Sequence, residues 1–471
     1  MRIAWPVEGM MTWPNSCRAA LARRLSRILG LTVVFLACGC EGSDDPVSLG
    51  SNPTATPTSS TTLSISQWGI TWTFSEPVPY GKFANGDYWV VGPATITEID
   101  PPFNGTNHGW QVNPVPGLDQ GFDVGAQNFD AGLVPDLPYV AQPGSSIVKA
   151  ISKFPGQTEE CYPSVCLQTA AVLTVVDAVP PDGGATSFRP PYVGSAKPLY
   201  STTRIRTDLL PTLAPVDAAP ALDDVVARFQ RVQIQHGFGL VGRVLRPEDN
   251  MDDYGPDNAR DENDAILRLM LDDPVEDKMP ALIAMIQHGI DSYHAVVEGQ
   301  IWPAGGGHEP GHMLVLASAA TLLDDEALKS TLASADFFTE YEGVYRSSVT
   351  SAPDGVLYGF PPGESREKDP NELVDAPAAS ALYCCLAMPW KGAVLATRLM
   401  PSLREHLDQE EWSQLAQFVD RWVSFGWWFP SPDADGLVTE EGERCVDLHN
   451  TRANEGSRGS AFQSNMWDTY R

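Results

Sequence analysis

The stretch Trp302-Pro303-Ala304-Gly305-Gly306-Gly307-His308-Glu309-Pro310-Gly311-His312 gathers the residue types that move protons. Read literally it contains H-E-x-x-H, in which two histidines one helical turn apart bind zinc and the glutamate activates water. That chemistry needs one continuous helix, and here Pro310 and Gly311 stand between the histidines. Proline is tolerated in the first turn of a helix, so a helix is expected to begin near Pro310, with His308 in the loop before it. A third histidine of the extended pattern would fall at position 318, which is Ser318. The stretch also supports a different arrangement. Three glycines let the backbone pass close to a ligand and present His308 at a helix N-terminus, where free N–H groups favour an anion or a developing oxyanion. A glycine turn whose histidine only bonds a neighbouring carbonyl is the structural alternative.

Other residues extend the same chemistry. A polysaccharide lyase abstracts the proton α to a uronate carboxylate and expels the 4-linked oxygen, which needs a base, an acid and a group that neutralises the carboxylate. His308 and Tyr345 are the acid–base candidates, and Arg346 or His312 the neutralising ones. Tyr254, Asn258 and Arg260, read as a loop before the first long helix pair, are substrate-binding candidates, with Tyr341 beside Tyr345. Tyr341 and Tyr345 also have the spacing of a half-buried helical stripe, and Arg346 can pair with one of many acids. Trp302, Trp390, Trp427 and Trp428 are the aromatic faces on which a sugar would stack, although tryptophan is equally a core residue. A hydrolase acting on a neutral glycan would use paired carboxylates instead. Among the acid pairs, Asp252 and Asp253 stand out only because Tyr254 and other polar groups adjoin them.

The elements that must hold these groups fall into two textures. From residue 63 to about 205 the apolar runs are short, β-branched or aromatic, and broken by Gly, Pro and Asn. Residues 69–74, 88–91, 94–99 and 171–176 read as strands, with Asn85-Gly86-Asp87 as a turn. From residue 206 onward the helical period takes over. Met279, Leu282, Ile283, Ile286, Ile290, Tyr293 and Val297 form one apolar stripe, and Trp412, Leu415, Ala416, Val419, Trp422 and Val423 another. Residues 313–323 are apolar nearly all round, as a helix buried on every side requires, and Pro389 and Pro401 bracket a further helix. The expected fold class is α+β: a β-rich, sandwich-like domain over 63–205, then an (α/α)-toroid-like helical domain over 206–471 in which outer amphipathic helices alternate with buried inner ones. A plain bundle gives the same pattern.

The N-terminus reads as an export address. Arg18, Arg23, Arg24 and Arg27 precede an apolar run over 28–37, short for a membrane span and right for a signal-peptide core. The run ends in Leu36-Ala37-Cys38-Gly39-Cys40, similar to a lipoprotein cleavage site, so Cys40 or Cys38 is the expected lipidation residue; an ordinary cleaved signal is the alternative. Residues 1–39 are then the signal peptide, and residues 40–62, rich in Ser, Thr, Pro and Gly, a flexible tether. Outside the cytoplasm disulfides are permitted, and Cys161 with Cys166 would close a tight loop. Cys384, Cys385 and Cys445 leave one thiol over. With 31 basic and 60 acidic residues the chain carries a formal charge of −29, which excludes nucleic-acid binding through a general basic field. That charge also opposes a polyanionic substrate at long range, but screening within about 8 Å lets a local Arg or His cluster prevail. No cofactor is called for.

Several stretches together carry a resemblance. These are His288-Gly289-Ile290-Asp291-Ser292-Tyr293, then Trp302-Pro303 and Gly306-Gly307-His308, and the helix leading to Leu323-Asp324-Asp325-Glu326. Residues 80–92, Tyr383-Cys384-Cys385 and the closing Met466-Trp467-Asp468-Thr469-Tyr470-Arg471 complete them. The chain resembles exported bacterial proteins similar to helical-toroid polysaccharide lyases of the alginate and heparin lyase kind. The resemblance implies polysaccharide as substrate and the membrane, through a lipid anchor, as the other partner. In the family pattern an Arg-Lys pair follows the glycine turn, where His312-Met313 stand in this chain. Three further classes stay open: a glycoside hydrolase on a neutral glycan, a non-catalytic surface glycan-binding lipoprotein, and a zinc metallohydrolase.

Overall fold

Alternation decides the first half of the molecule. In β1 (Thr61–Gln67) and β2 (Ile70–Lys82) the side chains of Ile65, Ile70, Trp72 and Phe74 are buried while their neighbours face outward, the period-two signature of a strand with one covered face. The computed structural model describes residues 60–117, 119–156, 166–234, 245–252, 254–302, 309–335, 337, 388–425 and 459–471. The next strands are β3 (Tyr88–Val91), β4 (Ala94–Asp100), β5 (Trp110–Val112) and β6 (Tyr139–Ala141). They are completed by β7 (Ser145–Ser152) and β8 (Leu167–Val176). With β1 they form one eight-stranded sheet, seven strands in the order β5-β7-β8-β3-β2-β4-β6 and β1 paired with β2, curled into a half-barrel. The expected sandwich of two stacked sheets is thus replaced by a single curled sheet.

The long β2 makes the curl. Its first half pairs with β4 up to Phe74, and its last residues, Tyr80 to Lys82, pair with β3. Pro77 and Pro79 lie between these two ladders, where a missing N–H breaks no bond to β4. The central β7 and β8 are buried on both faces. Ile147, Ala171, Leu173 and Val175 enter the core shared with β1, β2 and β4. Val148, Ala150, Ala170 and Val172 point the other way, onto Tyr192, Val232 and Leu245. Cys166 packs in this second core; its expected partner Cys161 lies outside the described residues, as do Cys38, Cys40, Cys384, Cys385 and Cys445.

Helices begin at α1 (Leu222–Phe229), followed by α2 (Gly255–Leu269), α3 (Val275–Val297), α4 (Met313–Leu323) and α5 (Glu326–Ser334). Further on come α6 (Met388–Leu399), α7 (Gln409–Phe425) and α8 (Ala461–Tyr470). Every residue of α4 is buried, as its uniformly apolar sequence requires. A Cβ at Gly289 would sit 2.4 Å from the Val315 carbonyl oxygen, so α3 and α4 touch backbone to backbone and only glycine fits. Local chemistry starts two of these helices: Asp325 accepts from the Ala327 and Leu328 N–H groups at the start of α5, and Ser460 from Gln463 N–H at the start of α8. No described helix is long and apolar enough to cross a membrane. The architecture is α+β: a curled sheet followed by helices.

One buried ion triad ties the two halves together. Arg189 Nε donates to Asp87 Oδ2 at 2.6 Å, and its Nη1 and Nη2 form a two-pronged pair with Asp291 on α3. All three side chains are at most 2 % exposed. Asp87 also accepts from Gln67 Nε2 at 3.0 Å and Asn85 Nδ2 at 2.8 Å. Burial alone would lower the Arg189 guanidinium, but Asp291 and then Asp87 outweigh it and the group is raised. The turn at residues 85–87 and the segment around Asp291 are therefore joined in space through a residue outside both.

Candidate functional site

Helical spacing builds the site. Asn258 and Glu262 are four residues apart on α2 and share a face; His288 and Ser292 do the same on α3. The two helices bring Glu262 Oε1 to 3.6 Å from His288 Nε2, close but beyond a hydrogen bond. Asn258, Glu262, His288 and Ser292 are all at most 2 % exposed. Both oxygens of Glu262, both nitrogens of His288, Ser292 Oγ and Asn258 Oδ1 nevertheless have no hydrogen-bond partner among the described residues. Leaving a buried polar group unsatisfied costs about 1–3 kcal/mol, so a strip of them is a standing destabilisation at one place in the fold.

Burial sets the protonation of the central pair. It pushes the Glu262 carboxyl up to about 8, with Arg246 pulling the other way and Asp261 adding to the rise. It pushes the His288 imidazole down to about 3, and Arg246 lowers it further. At neutral pH the pair is a carboxylic acid beside a neutral imidazole rather than an ion pair. Such a carboxyl can donate a proton, and the imidazole can accept one. Phe229 lies against the histidine, with ring centroids 6.0 Å apart.

The turn singled out in the sequence closes on the N-terminal end of α2. Gly311 has φ +91°, and a Cβ there would meet the Gly255 carbonyl at 2.6 Å and Asn258 Cβ at 2.9 Å. That left-handed residue keeps the backbone out of a helix, so α4 starts at Met313 rather than near Pro310. Glu309 and His312 consequently precede the helix, and this part of the H-E-x-x-H match is not helical. His312 is 2 % exposed and its ring stacks on Trp302, centroids 4.1 Å apart and planes 9° apart.

The expected residues divide accordingly. Tyr254, Asn258, Trp302 and His312 come together around the first turn of α2. Tyr254 does precede the helix, as its N-cap residue, but Asn258 is not in a loop: Gly255 and Pro256 open the helix, and Asn258 Nδ2 donates back to the Tyr254 carbonyl at 3.1 Å. Trp302 is only 7 % exposed, with the rings of His312 and Phe337 both lying against it, so it is covered rather than open to a sugar. Trp390 is core, 3 % exposed and edge-on to Trp412, because α6 is buried through most of its length. Arg260 also belongs to α2, two residues on from Asn258, and turns to another face, where it pairs with Asp261 and nears Asp252. His308, Tyr341, Tyr345, Arg346, Asp253, Trp427 and Trp428 lie outside the described residues.

Sequence reasoning assigned no role to Glu262 or His288. The available signal was polar residues at i and i+4 on helices whose remaining faces are apolar. On α3 it was masked because His288, Asp291 and Ser292 fall off the apolar stripe, where a one-faced helix would meet water. Comparison with family models, curated proteins and solved structures finds no match to this chain.

Proposed function

We propose that this is an exported, lipid-anchored protein that degrades polysaccharide as a lyase, its helices arranged as a toroid whose inner wall carries the site. The observation that carries the reading is the buried strip Asn258–Glu262–His288–Ser292 beside the Glu309–His312 turn, six of whose polar atoms lack partners among the described residues. A fold retains such a strip against its cost when the missing partners arrive with a substrate. The fully buried α4 beside amphipathic α7 supports the toroid, and the basic, apolar, cysteine-terminated leader supports export with Cys40 or Cys38 lipidated. In this reading His308 and Tyr345 exchange the protons, with Arg346 and His312 meeting the substrate carboxylate, and Asn258 and Glu262 orient the sugar.

The test is incubation of the purified chain with alginate, heparin, pectate and hyaluronan, following absorbance of the unsaturated product. Product with one of them, lost in His308→Ala, supports the lyase. New reducing ends from neutral glycans with no unsaturated product point to a hydrolase, and binding without turnover to a glycan-binding lipoprotein.

A further inference from the structure

The whole first turn of α4 is buried: Met313 and Val315 are 0 % exposed and Leu314 3 %. A helix opens with N–H groups that its own carbonyls cannot meet, and caps or water normally serve them. Here burial excludes bulk water and no cap replaces it. No described residue accepts from the Met313, Leu314 or Val315 N–H, and the first bond of the helix, Leu316 N–H to the His312 carbonyl, is long at 3.5 Å. The N-cap residue, His312, gives no side-chain cap. Gly311, at φ +91°, keeps the preceding backbone out of the helix, so the carbonyls of residues 309–311 do not accept from the first turn. The Trp302 indole lies flat on the His312 ring, 4.1 Å between centroids, which brings it to the same helix end. Its Nε1–H is buried and also has no acceptor among the described residues.

We propose that the N-terminus of α4 binds one small monoatomic anion, chloride, through the N–H groups of Met313, Leu314 and Val315 and through Trp302 Nε1–H. Three arguments select that ligand. All four groups are donors. A water molecule accepts about two hydrogen bonds and must place its own hydrogens as well, whereas a halide accepts from all four. The aligned peptide dipoles put about half a positive charge at this end of the helix, which favours an anion over a neutral ligand. The residues that present the donors are at most 7 % exposed. A carboxylate still attached to a sugar chain therefore cannot reach them, while a free ion enters through local opening of the fold.

This site adjoins the buried strip but does not rest on the lyase reading: a chain that cleaves no polysaccharide should still bind the ion. The experiment is thermal unfolding of the full mature chain in sodium chloride and in sodium gluconate at equal ionic strength, so that both salts screen the excess negative charge alike. With Kd on the order of 10 mM, about 150 mM chloride should raise the midpoint by about 2–4 °C over gluconate. Trp302→Phe keeps an aromatic ring on His312 and removes one donor, so the apparent Kd for chloride should rise about ten-fold. In crystals soaked in bromide, the anomalous signal should fall at the start of α4. Equal midpoints in the two salts, no bromide at that helix end, or a wild-type chloride response in Trp302→Phe overturns the assignment. The wild-type comparison decides the matter even if the variant fails to fold.

Discussion

Asp291 and His288 stand three residues apart on α3, both almost wholly buried, and their surroundings could hardly differ more. Asp291 meets Arg189 through both carboxylate oxygens, and Arg189 meets Asp87, which collects two further donors. The polar group facing His288 is Glu262, too far for a hydrogen bond, and four polar atoms of that pair go without partners among the described residues. Removing charges from water is repaid only where geometry is good and remaining lone pairs are filled. The triad meets that condition and serves architecture, locking the sheet to the helices. The strip does not meet it and avoids the penalty by staying uncharged. Satisfaction of hydrogen bonds, not burial or residue type, separates the two.

The sharpest way to break this comparison is Asp291→Ala. It leaves the Arg189 charge with one partner fewer in the interior and should destabilise the chain by about 3–5 kcal/mol, read as a drop in urea midpoint. A change under about 1 kcal/mol would mean that the triad is not the lock between the halves.

Next in size is the pH response of the strip. Glu262 has its folded value raised from 4.5 to about 8, so between these values the unfolded chain loses its proton first and stability falls as pH rises. His288 has its folded value lowered from 6.5 to about 3, so the unfolded chain gains a proton first and stability falls as pH drops through that window. The two effects oppose each other where the windows overlap, and stability declines on either side. Thermal midpoints across pH should show this plateau, with Glu262→Gln removing the alkaline decline and leaving the acid one. An unchanged alkaline limb in that variant would show that Glu262 is not held protonated.

A third measurement separates function from fold at neutral pH. Glu262→Gln replaces a neutral acid by a neutral amide of the same shape and removes the cost of keeping that acid protonated, so stability at pH 7 should rise by roughly 3 kcal/mol. Polysaccharide turnover should fall at least about ten-fold, because the amide cannot reproduce the hydrogen bonds by which the acid orients the sugar. Full activity in this variant would reduce the strip to a packing feature. The smallest effect is expected at the rim of the sheet: Glu248→Gln breaks the partly exposed pair with Lys153 and should shift stability by less than about 1 kcal/mol.

Much of the fold was legible in residue order. Residues 88–91 and 313–323 coincide with β3 and α4, and the strand expected over 94–99 is β4 with one residue added. These succeed because period and apolarity act locally. The strand β7 was missed: its Ser145-Ser146 opening and Lys149 hide a segment buried on both faces, and Lys149 Nζ finds the His108 carbonyl only in the folded state. The site was read in fragments. Tyr254, Asn258, Trp302 and His312 were picked out by type, but the covering of Trp302 by His312 and the core position of Trp390 follow from helix packing.

The residue sequence by itself determined the order of strands and then helices, the all-round burial of α4 and the surplus of acid over base. Each of these depends on local period or on composition, which carry no information about distant partners. Only tertiary structure decided that Arg189 joins Asp87 to Asp291 across 102 residues on each side, and that Glu262 faces His288 without bonding it. Whether a buried polar atom is satisfied depends on atoms far away in the chain, and that distinction is what sets the clamp apart from the candidate site.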